Sequence, residues 1–286
     1  MTIVQWKAET VRLLKQAKLD ESADLDARLL LQKATGMDQI QQLIAHDHTL
    51  SEQELANLSV LRSQRLAHKP MAYLLKEKEF FGRPFAVDER VLIPRPDTET
   101  LIEAVLAFAH TKDRASLLPI IDVCTGSGAI GITLALELDV EVTLSDISND
   151  ALQVADSNAR TLLGHSLPLV EDDLLAHAAQ TYGIIVSNPP YLNATWCEQV
   201  SKEVSWEPRL ALDGFGSDGL DLIRTLVAQS TRYLRNGGAL FLECDYRQAK
   251  QVAAMLVAHQ FGSVTIEQDL AGLDRVVWGV HTCTNN

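Results

Sequence analysis

Residues 120–131 have the sequence IIDVCTGSGAIG, in which a largely apolar run leads directly into three glycines. The run is typical of a buried strand, and Gly126, Gly128 and Gly131 are typical of a tight turn that opens a helix. Such a turn presents backbone N–H groups and the positive end of the helix to a ligand. The stretch therefore predicts an α/β fold that binds a ligand containing a nucleoside. A turn that only packs the helix against the strand is the structural alternative.

The chain around this turn alternates between strand-like and helix-like segments. Seven short apolar segments are predicted strands, at about residues 118–123, 141–145, 167–170, 182–187, 238–243, 262–268 and 274–281. Helical segments separate most of them, and this alternation is typical of a parallel sheet covered on both faces. A short polar stretch with Gly272 separates the last two, which predicts an antiparallel hairpin at one edge. We predict an α/β fold with a seven-stranded, mostly parallel sheet.

The amino-terminal part of the chain has a different pattern. Residues 1–70 contain leucines at helical spacing, and Ser51 with Glu54 three positions later is typical of a capping box at a helix start. Residues 71–95 are rich in Phe, Tyr and Val and are interrupted by glycine and proline. We therefore predict a small all-helical domain over 1–70, a β-hairpin linker over 71–95, and the α/β domain over 96–286.

The charge is unevenly distributed between these parts. Residues 1–75 contain nine basic and nine acidic side chains, so the net charge of −13 falls entirely on residues 76–286. A nucleic-acid partner requires a cationic surface that displaces counterions from phosphate. We therefore expect no direct contact with nucleic acid.

Apolar runs and cysteines indicate the compartment. The apolar runs are far shorter than the roughly 18 residues of a membrane span, and the chain does not begin with a basic segment followed by an apolar one. We expect a cytoplasmic protein without membrane contact. Cys124, Cys197, Cys244 and Cys283 are too widely spaced for a zinc site or a dense disulfide framework, so we expect free thiols and no metal. No exposed heptad pattern is evident, so a monomer is expected.

An acidic residue ends the second predicted strand of the sheet. Asp146 follows the apolar residues 142–145 and lies 20 positions after Gly126. A carboxylate at the carboxyl end of a strand beside the glycine turn can accept both ribose hydroxyls of a nucleoside. The spacing also fits the G-x-G-x-x-G pattern of dinucleotide sites. Capping the helix at about 148–163 is the structural alternative, although Ser148 can fill that role.

A second acidic position follows the next strand. Asp173 can accept a hydrogen bond from an adenine amino group, and Leu174 follows it. Glu171 and Asp172 stand beside Asp173, so a solvated acidic turn is the alternative.

The most discriminating motif is SNPPY at residues 187–191, directly after the strand at 182–186. Two prolines remove two backbone donors and restrict two φ angles, so the segment is a rigid frame of acceptors. The side-chain oxygen of Asn188 and the carbonyl of Pro189 can each accept one N–H of a planar NH₂ group. The nitrogen lone pair then points at an electrophile, while Tyr191 packs on the flat face. A surface turn is the alternative.

These motifs resemble those of class I S-adenosylmethionine-dependent methyltransferases that modify planar NH₂ groups. More narrowly, LIPRPDTE at 92–99, EPRLAL at 207–212 and GSDGL at 216–220 are similar to segments of the HemK/PrmC-type release factor glutamine methyltransferases. The resemblance extends over nearly the whole chain. It implies a Rossmann-like class I methyltransferase sheet, a helical substrate-recognition domain and a catalytic domain that binds S-adenosylmethionine.

The resemblance also implies roles for individual residues. The implied catalytic residues are Asn188, Pro189 and Tyr191. The implied substrate-binding residues are Asn188, Pro189, Pro190, Tyr191 and Arg95. The implied cofactor-binding residues are Cys124, Thr125, Gly126, Ser127, Gly128, Asp146, Asp173, Leu174 and Asn188. Cys124 stands where the family usually has glycine, and Leu174 where an aromatic residue often stacks on adenine.

The implied reaction transfers a methyl group from S-adenosylmethionine to the side-chain amide nitrogen of the glutamine in the Gly-Gly-Gln motif of peptide chain release factors. The chemistry needs no strong base beforehand, because the nitrogen becomes acidic once it is methylated. A ribosomal-protein glutamine and the N6 of adenine in nucleic acid are alternative acceptors. An NAD-dependent oxidoreductase and a non-catalytic nucleotide-sensing module are alternatives from other classes.

Two further segments carry alternative interpretations. Residues 192–217 are longer than an ordinary connection and are either a lid over the substrate or an Ω-loop with its aromatic residues packed inward. Arg95 and Glu99 either shape the mouth of the site or form surface ion pairs of little energetic weight.

Overall fold

The computed structural model describes residues 1–282, so Cys283 lies outside the described residues. The chain forms two compact units, which divide at residues 77 and 78. The smaller unit contains Met1–Glu77 together with Ser201–Trp206, and the larger unit contains the rest. The hairpin of the expected linker lies almost wholly in the larger unit. There the side chain of Asn158 bonds both the N–H and the carbonyl of Ala86, at 2.8 and 3.0 Å.

The smaller unit is helical. Its helices are α1 (Ile3–Gln16), α2 (Ala23–Thr35), α3 (Gln39–Ile44), α4 (Glu52–Leu66) and α5 (Met71–Leu75). The capping box predicted before α4 is confirmed, because Ser51 accepts from the Glu54 N–H and the Glu54 carboxylate accepts from the Ser51 N–H. The core of the unit consists of buried apolar side chains, among them Trp6, Leu30, Leu31 and Leu58.

A buried cation explains why residues 201–206 belong to the smaller unit. Arg65 is almost fully buried, and its guanidinium donates to Asp26 at 2.7 Å and to Glu203 at 2.8 Å. A buried charge requires such partners, because its desolvation is otherwise costly. The Glu203 carboxylate therefore holds this part of the long 192–217 segment on Arg65 of α4, while the Asp26 carboxylate links the same guanidinium to α2.

The larger unit contains two sheets and seven α-helices within the described residues. Its strands are β1 (Glu77–Phe80), β2 (Arg83–Ala86), β3 (Ile120–Val123), β4 (Val142–Asp146), β5 (Leu169–Glu171), β6 (Tyr182–Ser187), β7 (Leu234–Glu243), β8 (Phe261–Gln268) and β9 (Asp274–His281). Its helices are α6 (Glu99–Ala109), α7 (Arg114–Leu117), α8 (Ala129–Leu138), α9 (Asn149–Leu163), α10 (Ala194–Glu198), α11 (Asp221–Tyr233) and α12 (Ala249–Ala258).

The main sheet has the order β5-β4-β3-β6-β7-β9-β8, and its first five strands are parallel. This confirms the predicted seven-stranded, mostly parallel α/β sheet. The antiparallel hairpin of β8 and β9 closes one edge as predicted, but β9 lies inside the sheet, between β7 and β8. Strands β3 and β6 are completely buried, as expected for a sheet covered on both faces.

The register of the sheet determines which side chains meet at its carboxyl edge. Val123 at the end of β3 lies opposite Ser145 of β4 and Ser187 of β6. The next residues on these neighbouring strands, Asp146 and Asn188, therefore leave the sheet at the same level. The strand order reverses here, and ligands of open α/β sheets bind at such a reversal.

One glycine of the first motif serves packing rather than ligand binding. A Cβ added at Gly131 would lie 2.3 Å from Leu144 Cδ2 and 3.0 Å from Asp122 Cβ, so α8 rests directly on the sheet. We expect Gly131→Ala to lower the free energy of unfolding by about 1–3 kcal/mol, because the core there has no room for a methyl group. Urea denaturation measures the effect.

The matched control is Gly262→Ala, where the nearest atom to an added Cβ is 3.8 Å away. This variant should keep nearly the stability of the wild type. Equal stabilities for the two variants would contradict the packing role of Gly131.

Candidate active site

A cavity of about 270 Å³ opens at the carboxyl edge of the main sheet. Its lining includes residues that the sequence singled out, namely Cys124, Gly126, Asp146, Asp173, Leu174, Asn188 and Pro190. The other predicted site residues do not line it: Thr125, Ser127, Gly128, Pro189, Tyr191 and Arg95 lie around it. The structure therefore divides the predicted site residues into those that line the cavity and those that support the residues lining it.

The glycine turn is held from below by Asp122. This carboxyl group is fully buried, and its Oδ2 accepts from the Thr125 hydroxyl at 2.6 Å and from the Gly131 N–H at 2.9 Å. Burial raises the pKa of Asp122 to about 7. On the other side of the turn, Asn158 donates to the Ser127 carbonyl at 2.9 Å. Thr125 and Ser127 thus shape the turn without facing the cavity.

Asp146 connects β4 to the glycine turn. Its Oδ2 accepts from the Gly126 N–H and its Oδ1 from the Ser148 N–H, both at 2.9 Å. Burial raises the pKa of this carboxyl group, although the two N–H donors favour its charged form. Ser148 caps α9 by accepting from Ala151, so Asp146 does not cap that helix. The carboxylate oxygens keep lone pairs for a ligand in the cavity.

Two residues in the cavity wall have left-handed backbone conformations. Cys124 has φ +59° and Leu174 has φ +58°, a region that favours glycine. This accounts for the glycine that the resemblance implies at position 124, because a glycine adopts this conformation without the steric cost that Cys124 carries. Burial also raises the pKa of the Cys124 thiol, so the neutral thiol predominates.

We expect Cys124→Gly to be more stable than Cys124→Ala by about 1 kcal/mol, because only alanine retains the left-handed strain. Both variants lose the thiol, so the comparison isolates the backbone. Thermal unfolding of the two proteins measures the difference. Equal stability, or greater stability of the alanine variant, would mean that the turn relaxes to a different φ.

The two aspartates of the acidic turn after β5 differ in their burial and in their contacts. Asp173 is exposed at the cavity rim. Asp172 is buried, and its carboxylate accepts from the His177 N–H at 3.0 Å and contacts the His177 ring at 2.9 Å. The Asp172 N–H donates to the Asp146 carbonyl at 3.1 Å. The turn is therefore fixed against β4 rather than being only solvated.

The SNPPY segment lines the opposite side of the cavity. Asn188 and Pro190 face the cavity, and the Asn188 Nδ2 donates to the Thr98 hydroxyl at 3.3 Å. The Tyr191 hydroxyl instead donates to Glu243 at 3.4 Å, away from the cavity, and burial raises its pKa. Tyr191 therefore does not line the cavity, whereas Asn188 directly borders it.

Arg95 joins the segment at 92–99 to the segment at 207–212. Its guanidinium pairs with Glu207 at 2.5 Å, and the other oxygen of Glu207 accepts from the Ile93 N–H at 3.1 Å. Because Glu207 is buried, this is not the surface ion pair considered as an alternative. Glu99 accepts from the Phe81 N–H at 2.9 Å and so fixes the β1–β2 turn. Neither Arg95 nor Glu99 lines the cavity.

The long segment after SNPPY contributes to the cavity wall. Pro208, Leu210 and Phe215 line the cavity, and Leu192 pairs with Leu212 and Gly214 at the base of the segment. Phe215 is 49% exposed, which contradicts an Ω-loop with all its aromatic residues packed inward.

Sequence reasoning missed two polar residues behind the cavity. Thr98 lies within the LIPRPDTE segment, and Glu243 ends β7 beside β6; both are almost fully buried. The signal for Glu243 is its place at the carboxyl end of a central strand, the same signal that indicated Asp146 and Asn188. No helix of residues 1–282 is long and apolar enough to cross a membrane. No group of three potential metal ligands occurs in that part of the chain.

The residues of the cavity fit a nucleoside-containing methyl donor. Asp146 supplies carboxylate acceptors for ribose, and Leu174 and Ile147 supply apolar walls for a base. A Cβ at Gly126 would meet no atom within 4 Å, so the glycine leaves space for a ligand to approach the backbone. Three acidic residues of the lining, Asp146, Asp172 and Asp173, suit a cationic group.

Comparison with known proteins shows which family this sequence is similar to. Residues 5–75 match the PrmC N-terminal domain, and residues 103–207 match the methyltransferase small domain. The release factor glutamine methyltransferase of Neisseria gonorrhoeae is 38% identical over 265 residues, which cover 91% of this chain and 94% of that protein. The release factor glutamine methyltransferase of Burkholderia pseudomallei is 37% identical over 280 residues, with coverages of 95% and 96%.

Among solved structures, the hMettl16 catalytic domain in complex with an RNA hairpin superposes with a TM-score of 0.57. It is 17% identical, and the match covers 79% of this chain and 83% of that one. At this identity the likeness concerns the fold alone.

Proposed function

Because the chain belongs to the family of release factor glutamine methyltransferases, we propose that it methylates the glutamine of the Gly-Gly-Gln motif in a peptide chain release factor. The methyl group goes from S-adenosylmethionine to the side-chain amide nitrogen. The observation that carries the proposal is that Asp146 and Asn188 border one cavity from the ends of β4 and β6, the two strands that flank β3.

The cofactor side of the cavity is formed by the glycine turn and the ends of β4 and β5. Asp146 would accept the ribose hydroxyls, and Gly126 would let the ligand approach the turn. Asp173 and Leu174 would border the adenine. When bound, S-adenosylmethionine supplies an electrophilic methyl group on a positively charged sulfur.

The substrate side is formed by the SNPPY segment. An amide nitrogen is a poor nucleophile, because its lone pair is delocalised into the carbonyl group. The Asn188 oxygen and the Pro189 carbonyl would each accept one N–H of the glutamine amide and favour the geometry in which the lone pair is localised. The methylated nitrogen is acidic and releases its proton without a dedicated base. Accordingly, the nearby carboxylate of Glu243 is engaged by Tyr191 rather than facing the cavity.

The remaining roles follow from the arrangement of the chain. We propose that the helical region over 1–70 recognises the release factor and that residues 71–95 link it to the catalytic region over 96–286. The segment 192–217 would cover the glutamine. The ion pair of Arg95 with Glu207 would hold this segment near the mouth of the site. The acidic balance of residues 76–286 argues against nucleic acid as the partner. A monomer acting in the cytoplasm fits the modification of a translation factor.

The decisive experiment incubates the full chain with S-adenosylmethionine and an unmodified release factor and then maps the product by mass spectrometry. We expect the mass gain of one methyl group on the Gly-Gly-Gln glutamine. Parallel reactions contain ribosomal proteins and adenine-containing DNA or RNA. Methylation of one of these substrates with the release factor left unmodified would overturn the proposal. Thermal stabilisation by NAD and not by S-adenosylmethionine would overturn it as well.

A further inference from the structure

A chain of hydrogen-bonding groups lies behind Asn188, on the side away from the cavity. The Thr98 hydroxyl is buried and accepts from the Asn188 Nδ2 at 3.3 Å. The same hydroxyl faces the carboxyl group of Glu243 and favours its charged form. The Tyr191 hydroxyl donates to Glu243 Oε1 at 3.4 Å. Two of the four groups belong to SNPPY, and the other two come from the LIPRPDTE segment and from β7.

The number of protons that these four side chains share determines which atom of the Asn188 amide, the oxygen or the nitrogen, faces Thr98. A hydroxyl group has one proton to donate, and a charged carboxylate can only accept. When the Thr98 hydroxyl donates its proton to Glu243, the hydroxyl oxygen can only accept a hydrogen bond from Asn188. The group of Asn188 that faces Thr98 must then be the NH₂ group, which is a donor. The amide oxygen of Asn188 is then directed away from Thr98. Since Asn188 lines the cavity, that oxygen is available to a substrate N–H.

The surroundings of Glu243 contain groups that favour its charged form and groups that oppose it. It is 1% exposed, and its Oε2 has no hydrogen-bond partner within residues 1–282. Arg275 favours its charged form, whereas the carboxylate of Asp97 opposes it. Arg275 itself bonds Asp97 at 3.2 Å and Asp269 at 3.1 Å, so its charge is shared. Burial outweighs the favourable contacts and raises the pKa of Glu243 to about 7.

We propose that Thr98 and Glu243 are positioning residues that hold the Asn188 side chain with its oxygen toward the glutamine amide. The inference rests on the proposed function and deepens it, because it identifies what selects between the two orientations of the asparagine amide. A protonated Glu243 no longer requires the Thr98 proton. Thr98 can then donate to the Asn188 oxygen, which turns the NH₂ group toward the cavity, where it opposes the N–H groups of the substrate.

The experiment compares wild type with Thr98→Val, Thr98→Ser and Glu243→Gln by steady-state kinetics on a release factor. Thr98→Val should lower kcat about tenfold or more, as the loss of outer hydrogen-bonding partners commonly does, and change the KM for S-adenosylmethionine little. Thr98→Ser retains the hydroxyl and should stay close to wild type. Thermal unfolding of each variant verifies that it is folded.

The pH profile separates positioning from packing. With both substrates saturating, wild-type kcat should fall as the pH is lowered through about 7, because the active orientation requires the charged form of Glu243. Glu243→Gln should lower kcat and remove this dependence between about pH 6 and pH 8. Asp122 titrates in the same range but holds the cofactor turn. Because Glu243→Gln leaves Asp122 unchanged, loss of the pH dependence in that variant assigns the dependence to Glu243.

Each outcome is decisive. Equal kcat for Thr98→Val and Thr98→Ser, or an unchanged pH profile in Glu243→Gln, would overturn the positioning role while the wild-type activity upholds the proposed function. A wild-type protein that leaves the release factor unmodified would overturn the proposed function and this inference together. The predicted pattern, with the serine variant active and the glutamine variant insensitive to pH, would support the positioning role.

Discussion

Asn188→Ala is expected to lower kcat about 100-fold or more, the usual effect of losing one oriented hydrogen-bonding group in a transition state. The substitution removes the side-chain oxygen that would hold one N–H of the glutamine amide. Because this contact strengthens as the lone pair localises, the effect should fall on kcat rather than on the KM of either substrate. Single-turnover methylation of a release factor, followed by mass spectrometry, measures it.

The control is Asn149→Ala, at an exposed asparagine in the first turn of α9. Asn149 bonds Glu171 on the surface and does not line the cavity, so its loss should leave kcat unchanged. If Asn188→Ala retained a kcat within a few-fold of wild type, Asn188 would have no part in binding the amide.

Asp146→Ala is expected to weaken S-adenosylmethionine binding about 100-fold. Hydrogen bonds to a charged group contribute about 1.5–3 kcal/mol each, so losing two ribose contacts costs about 3 kcal/mol. The variant also loses the acceptor for the Gly126 N–H, which loosens the turn on which the cofactor rests. Isothermal titration calorimetry with S-adenosylmethionine gives the dissociation constants.

Glu141→Ala is the matched control for this substitution. Glu141 is an exposed acid immediately before β4, whereas Asp146 ends the same strand. The control therefore removes one negative charge at the opposite edge of the sheet and should leave affinity unchanged. Equal losses of affinity in both variants would point to a general effect of charge and would remove the ribose role from Asp146.

The parts of the fold that were predictable are those decided by local chemistry. Strands β3 and β6 were recognisable because both of their faces are buried, which requires mostly apolar residues along each strand. The start of α4 was recognisable because a capping box satisfies free N–H groups within four residues. The internal place of β9 was not, because strand order depends on contacts between distant segments.

The same distinction applies to the candidate site. Asp146 and Asn188 were identifiable because Asp146 ends one buried strand and Asn188 follows another, and parallel strands end at a common edge. The sequence did not indicate that Tyr191 lies outside the cavity lining, because its hydroxyl donates to Glu243, which is 52 positions away in the chain. Thr98 was quoted within the LIPRPDTE segment but was given no role of its own, since it meets Asn188 across 90 positions.

By itself, the sequence determined the sheet, the glycine turn and the polar residues at the strand ends, because periodicity and turn chemistry act over a few neighbouring residues. Only the tertiary structure decided which of these residues face the cavity and which support it. It also decided that Glu207 receives Arg95 and that Glu243 lies behind Asn188. These pairings bring together charged and polar groups from separate segments, and their burial requires partners that no local pattern specifies.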